Sequence, residues 1–226
     1  TAVHHSTTSQ PDLPAKKTHQ ATANGCPFSF RQPSWYVPHT AIQDNSMKIL
    51  HTSDWHLGHT LYGRKRHEEF QRFLSWLSIL IRREYIDVLL VSGDIFDNGM
   101  PGNQAQALYY QFLHDLTDGP CRHVVIIAGN HDSPSFLDAP GPLLRPLNVH
   151  ITGRARTPEQ EVLLLPNKDG TPELLVCAVP FLHDRDAYRA EVGDTPEQRT
   201  QKLTEGIRRH YRCCADEAER LRNGRD

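Results

Sequence analysis

The chain has 226 residues, enough to bury one sizeable core, and its formal net charge of -2 excludes a wholesale basic nucleic-acid binder. Contact with a nucleic acid would have to come from local basic patches, bound cations or a partner. The five cysteines are odd in number and form no Cys-x-x-Cys pair, which argues against a disulfide framework or zinc ribbon and for a reducing cytosol.

Residues 1–46 are polar, carry Pro11, Pro14, Pro27, Pro33 and Pro38, and show no helical or strand period. Such a stretch buries too little apolar surface to offset the entropy of ordering, so a disordered or non-native extension is expected there. Phe28, Phe30, Trp35 and Tyr36 form its one aromatic patch. The opening Thr1-Ala2-Val3-His4-His5 lacks the basic start and apolar run of a signal peptide. No apolar stretch approaches the roughly 18 residues that span a bilayer. The expectation is a cytoplasmic protein without a membrane partner, whose domain occupies residues 47–226.

From Met47 the chain alternates strand and helix. Residues 48–53 read as a short apolar strand. His67–Glu84 carries Phe70, Phe73, Leu74, Leu77, Leu80 and Ile81 at helical spacing. Val88–Ser92 is a continuous apolar run, the pattern of a strand covered on both faces. Asn103–Thr117 is a second amphipathic helix, closed near Gly119-Pro120. Residues 123–128 hold Val-Val-Ile-Ile, another buried strand. This order implies an α/β fold with parallel strands and right-handed crossovers. Val149–Thr152 reads as a short strand. Residues 161–165 and 173–179 flank the turn Asn167-Lys168-Asp169-Gly170 as a hairpin. A polar helix is expected over residues 196–221.

Three polar clusters fall where strands run out: Asp54-Trp55-His56, Gly93-Asp94-Ile95-Phe96-Asp97 and Gly129-Asn130-His131-Asp132. Ligands of open parallel sheets bind beyond the carboxyl ends of the strands. Residues two apart on a strand point the same way, so Asp54 and His56 are expected to reach one cation together while Trp55 packs. Gly93 and Gly129 let the backbone bend before Asp94 and Asn130. Carboxylate, amide and imidazole donors without thiolate favour manganese, with iron or zinc as alternatives. Two such ions about 3.5–4 Å apart can clamp the attacking and leaving oxygens of a phosphodiester. His131 need not ligate; it is placed to contact the scissile phosphate or to act as general acid. Asp97 and Asp132 are expected to orient imidazoles from behind. Arg64, Lys65 and Arg66 follow the first cluster and are candidates for DNA phosphate contacts, a solvated patch being the competing reading. His59 and Tyr62 in the same loop are placed to face substrate, with loop filler as the favoured reading.

The clusters resemble the signature of the calcineurin-like metallophosphoesterases, Asp-x-His, Gly-Asp-x-x-Asp and Gly-Asn-His-Asp. The run from Met47 to Gly58, Val91-Ser92-Gly93-Asp94-Ile95-Phe96-Asp97, Ala128-Gly129-Asn130-His131-Asp132-Ser133 and Val179-Pro180-Phe181-Leu182 look like one branch of that family, the SbcD-like nuclease subunits. The resemblance runs roughly from Met47 to Leu221. It implies a metallophosphoesterase-type β-sandwich flanked by helices. It also implies two divalent ions, most often manganese, with Asp54, His56, Asp94 and Asn130 as ligands and His131 as the catalytic histidine. The implied activity is double-strand exonuclease and single-strand or hairpin endonuclease, in DNA repair, recombination and replication. The implied partners are DNA, an SbcC-type coiled-coil ATPase and, since related nucleases pair, a second copy of the chain. Family members continue with a Gly-His segment and a Gly-His-x-His motif, neither of which occurs after Val179-Pro180-Phe181-Leu182 in this sequence. The expectation is therefore a fold cut off before the C-terminal part of the sheet. The alternatives are an inactive or partner-binding fragment and a phosphoesterase that is not a nuclease.

Overall fold

The computed structural model describes residues 47–188 and 193–223. The expected disorder of residues 1–46 lies outside the described residues. In chain order the elements begin with β1 (Ile49–Thr52), β2 (Thr60–Leu61), β3 (Arg64–Lys65), α1 (His67–Glu84), β4 (Val88–Ser92), α2 (Asn103–Thr117) and β5 (His123–Ile127). There follow two short helices, α3 (Pro134–Asp138) and α4 (Gly141–Leu144), and then β6 (Val149–Thr152). The chain continues through α5 (Pro158–Glu161), β7 (Val162–Pro166), β8 (Pro172–Cys177), α6 (Asp184–Ala187) and α7 (Pro196–Arg222).

β1, β4, β5 and β6 form one sheet in that order, with every neighbour parallel. Right-handed crossovers between strands laid down consecutively put all connecting helices on the same face. The packing agrees. Leu74, Leu77 and Ile81 of α1 share one core with Ala105, Tyr109, Phe112, Leu113 and Leu116 of α2 and with Leu137 of α3, over Leu89, Val91, Val124 and Ile126. Each such aliphatic side chain contributes about 1.5–3 kcal/mol when fully buried.

The opposite face would be left wet without a second cover. The antiparallel β7–β8 hairpin supplies it. Val88 and Val125 of the parallel sheet pack with Leu165 and Ala178, joined by Leu163, Leu174 and Val176. Two sheets thus face each other, helices close the outside of the first, and α7 closes the outside of the hairpin through Val162, Val179, Leu182 and Cys214. The mixed α/β fold with its parallel sheet is the one expected from the strand and helix pattern, and the sandwich is the one that the family resemblance implies. The hairpin strands are offset from the expected limits, because Thr157–Pro158 opens α5, which takes Glu161 into its last turn. Asn167 still makes the turn, accepting N–H bonds from Asp169 and Thr171 on its side-chain oxygen, and Gly170 takes φ 81°.

Among the described residues the cysteines Cys121, Cys177, Cys213 and Cys214 are free thiols. No described helix is long and apolar enough to cross a membrane.

Candidate metal centre

The three clusters meet at the carboxyl ends of β1, β4 and β5. The loop after β1 is zipped onto the loop after β4: Asp54 donates its N–H to the Gly93 carbonyl at 3.1 Å, His56 to Asp94 at 2.9 Å and Leu57 to Ile95 at 2.9 Å. Trp55 between them turns inward and is 5% exposed. Its ring meets Phe73 and Phe112 edge-on, and its Nε1 donates to Thr52 Oγ1 at 3.1 Å. Packing of Trp55 follows the sequence expectation.

Asp54 and His56 converge for a different reason from the one strand alternation suggests. Both lie beyond the last residue of β1, and both are left-handed, with φ 55° and 47°. Asp94 is left-handed too, at φ 51°. Non-glycine residues rarely occupy this region, although Asp and His do so more readily than β-branched residues. Such backbone strain, about 1–3 kcal/mol per residue, clusters at functional sites. Here it turns an Asp, a His and an Asp toward one point. Donor atoms of Asp54, His56 and Asp94 lie within 4.8 Å of one another. His56 Nε2 is 3.9 Å from Asp94 Oδ2.

The third loop is locked to the second. Asp132 is buried and accepts three backbone N–H groups, from Ile95 at 3.2 Å, Phe96 at 2.9 Å and Gly129 at 2.9 Å. Burial raises its pKa above the ordinary carboxylate value, against the pull of those donors. Its hydrogen bonds go to backbone rather than to the imidazole anticipated from sequence. His131 donates its backbone N–H to Asp94 Oδ1 at 3.0 Å. Asn130 is exposed and lines, with Asp94, a cleft of about 370 Å³ whose other wall carries Phe181, Ile207 and Tyr211.

Asp97 sits behind the imidazoles. Its Oδ1 lies 2.7 Å from His59 Nδ1 and 3.6 Å from His56 Nδ1. The Asp97 carbonyl lies 3.0 Å from His131 Nδ1. A carbonyl only accepts, so Nδ1 carries the proton and Nε2 is left for other work. That hydrogen bond, aided by nearby Asp94, Asp97 and Asp132, raises the His131 pKa. The His131 ring stands edge-on to His56, with centroids 4.9 Å apart. His59, dismissed as filler from sequence, therefore belongs to the same polar cluster. Its partner lies 38 residues away, and no local signal connects them.

Arg64 and Lys65 are exposed on the β2–β3 hairpin that leaves the first loop. Arg66 bends back over the Phe70 ring at 5.8 Å and pairs with Glu69 at 3.9 Å. Among the described residues, Arg64 and Lys65 have no ion-pair partner.

Two carboxylates and an imidazole at one point, with an amide beside them and no thiolate, are donors suited to a hard or borderline divalent cation. The concentration of Asp54, Asp94, Asp97 and Asp132 at one end of the sheet is the electrostatic counterpart: a bound cation would relieve their mutual repulsion. The residues fit the ion that the sequence pattern implies.

The calcineurin-like phosphoesterase family model matches residues 47–201. The chain belongs to the calcineurin-like phosphoesterase family. Among curated members, it is 38% identical over 176 residues to the SbcD component of nuclease SbcCD from Escherichia coli (strain K12), a match covering 78% of this chain and 43% of that protein. To the SbcD protein of Rhodobacter capsulatus it is 39% identical over 154 residues, 65% of this chain and 38% of that one. To the Bacillus subtilis protein it is 43% identical over 111 residues, 49% of this chain and 28% of that one. The chain thus spans less than half the length of these relatives. Similarity to SbcD-type proteins within the phosphoesterase family agrees with the motifs at all three strand tips.

Proposed function

We propose that this phosphoesterase is a metal-dependent DNA nuclease subunit that hydrolyses phosphodiesters, with its domain occupying residues 47–226. The observation that carries the reading is the meeting of Asp54, His56 and Asp94 within 4.8 Å at the strand tips. With Asn130 beside Asp94 in the cleft, these residues would hold two divalent ions, manganese by donor type. When bound, the ions supply Lewis-acid charge at the scissile phosphate.

The chain's own groups do the rest. Asp97 holds the His56 and His59 imidazoles in place through Oδ1. Asp132 clamps the second and third loops so that Asp94 and Asn130 keep their spacing. His131, with Nδ1 committed to the Asp97 carbonyl, offers Nε2 to the phosphate or to the leaving oxygen. Arg64 and Lys65, with Arg66 at the ribbon's end, grip flanking phosphates. The relatives are named as subunits of the SbcCD nuclease. A role beside an SbcC-type coiled-coil ATPase, in the cytoplasm and in DNA repair, recombination and replication, is part of this proposal and rests on the family resemblance. Pairing with a second copy belongs to the same reading.

The test is cleavage of linear duplex DNA by the full chain with manganese. Cleavage that falls in Asp94→Asn by at least the roughly 10–100-fold typical of losing an outer partner of a metal site supports the proposal. Hydrolysis of a bis-aryl phosphodiester with DNA left intact would instead mark a phosphoesterase of smaller substrates.

A further inference from the structure

A second cluster of donor atoms shares no residue with the strand-tip centre. It lies where α7 crosses the β7–β8 hairpin. Glu161 ends α5 and is 0% exposed, a position carboxylates almost never take unless paired. Its Oε1 accepts the Arg156 backbone N–H at 2.6 Å, which fixes the carboxylate and leaves Oε2 facing α7. There Oε2 meets His210 Nε2 at 2.7 Å and Cys214 Sγ at 3.3 Å. His210 and Cys214 are four residues apart on α7 and so share one face. Cys214 is 1% exposed. The three donor atoms lie within 4.8 Å of one another. A second thiol is close by: Cys177 ends β8 opposite Val162, the neighbour of Glu161, and its Sγ lies 4.0 Å from the Cys214 carbonyl.

The plain alternative is a buried acid neutralised by hydrogen bonds from an imidazole and a thiol. In that arrangement Oε2 divides its contacts between the imidazole and a weak S–H donor. It also leaves α7 thinly anchored. Over 27 residues this helix buries only Gly206, Cys214 and Glu217, and the apolar cluster beneath it is small. A cation at the centre of that contact would accept the carboxylate, the imidazole and the thiolate together and would tie α5, the hairpin and α7 to one point.

We propose that Glu161, His210 and Cys214 bind a structural zinc ion that clips α7 onto the hairpin, with the Cys177 thiol completing the site. Mixed sulfur, nitrogen and oxygen donors are what tetrahedral zinc takes, with bonds of about 2.0–2.3 Å that set donors roughly 3.3–3.8 Å apart. The Glu161 Oε2 spacings to His210 Nε2, 2.7 Å, and to Cys214 Sγ, 3.3 Å, need to open by less than about 1 Å to match. Each ligating thiol gives its proton to solvent as the ion enters. The Arg156 N–H to Oε1 remains as the outer contact that orients the carboxylate.

Cobalt(II) substitution in the full chain tests this, because the strand-tip centre holds no sulfur among the described residues and is not expected to produce a thiolate-to-cobalt charge-transfer band. The wild-type chain, stripped with chelator and titrated with cobalt, is expected to show that near-ultraviolet band together with the intense visible bands of a tetrahedral ion. Zinc should bleach both. Cys214→Ser and His210→Gln should lose most of the signal, whereas Asp94→Asn should keep it. Circular dichroism checks that each variant folds, and the wild-type titration stands even if one does not. Absence of the charge-transfer band in the folded wild-type chain, or an undiminished band in folded Cys214→Ser, overturns the proposal.

Discussion

Gly129 lies so close to Asp94 that a Cβ at that position would collide with Oδ1 and with the backbone N–H. The two loops that carry Asp94 and Asn130 therefore touch backbone to side chain, and the touching residue must be glycine. Gly129→Ala is expected to push Asp94 out of place. Overpacking of this kind costs about 1–3 kcal/mol. Thermal unfolding should show the loss, and manganese titration should show weakened binding in the protein that remains folded.

Asp132 is the clamp between the same loops, and its two oxygens serve three backbone N–H groups. Asn has one acceptor oxygen, and its amide would point a donor at another donor. Asp132→Asn should leave at least one buried N–H unpaired, at a cost of about 1–3 kcal/mol. Denaturant unfolding measures this. A melting temperature equal to wild type would show that the clamp contributes little.

Asp97 acts through the histidines it touches. Removing its charge with Asp97→Asn should reduce metal affinity or turnover by about 10–100-fold while leaving thermal stability nearly unchanged. His59→Ala should have a milder effect than Asp97→Asn, because the carboxylate also faces His56 at 3.6 Å. Parallel manganese titrations of the two variants make the comparison.

His150 on β6 supplies a pH dependence. Burial, with the charges of His123 and Arg145, lowers its pKa to about 4 from an ordinary value of 6.5. The unfolded chain therefore binds a proton that the folded chain refuses between these values. Stability from this source is fully present above pH 6.5 and is lost as the pH falls toward 4. Its Nε2 is buried without a hydrogen-bond partner among the described residues, so an apolar ring is expected to be tolerated there. His150→Phe should lose less stability than wild type when urea unfolding is compared at neutral and at mildly acidic pH.

Most of the secondary structure was legible because it is local. The apolar spacing of Phe70, Leu74, Leu77 and Ile81 defines α1, and the left-handed Tyr85, φ 54°, closes it through N–H bonds to Arg82 and Ile81. Val88–Ser92 and Val149–Thr152 likewise read directly as strands. The strand-tip clusters were legible as motifs, but how they converge was not. Alternation along β1 suggested that Asp54 and His56 share a side; in the structure they share a left-handed backbone whose N–H groups are held by the Gly93 and Asp94 carbonyls. His59 beside Asp97 and Glu161 beneath His210 and Cys214 were invisible for the same reason. Each depends on chain segments tens of residues apart meeting through tertiary packing, and periodicity carries no record of that.

The most direct test of the account is anomalous difference density from crystals of the full chain soaked in manganese. A manganese peak in ligating contact with Asp54, His56, Asp94 and Asn130 is expected at the ends of β1, β4 and β5. Manganese bound elsewhere, or no peak at this point under saturating metal, would contradict it.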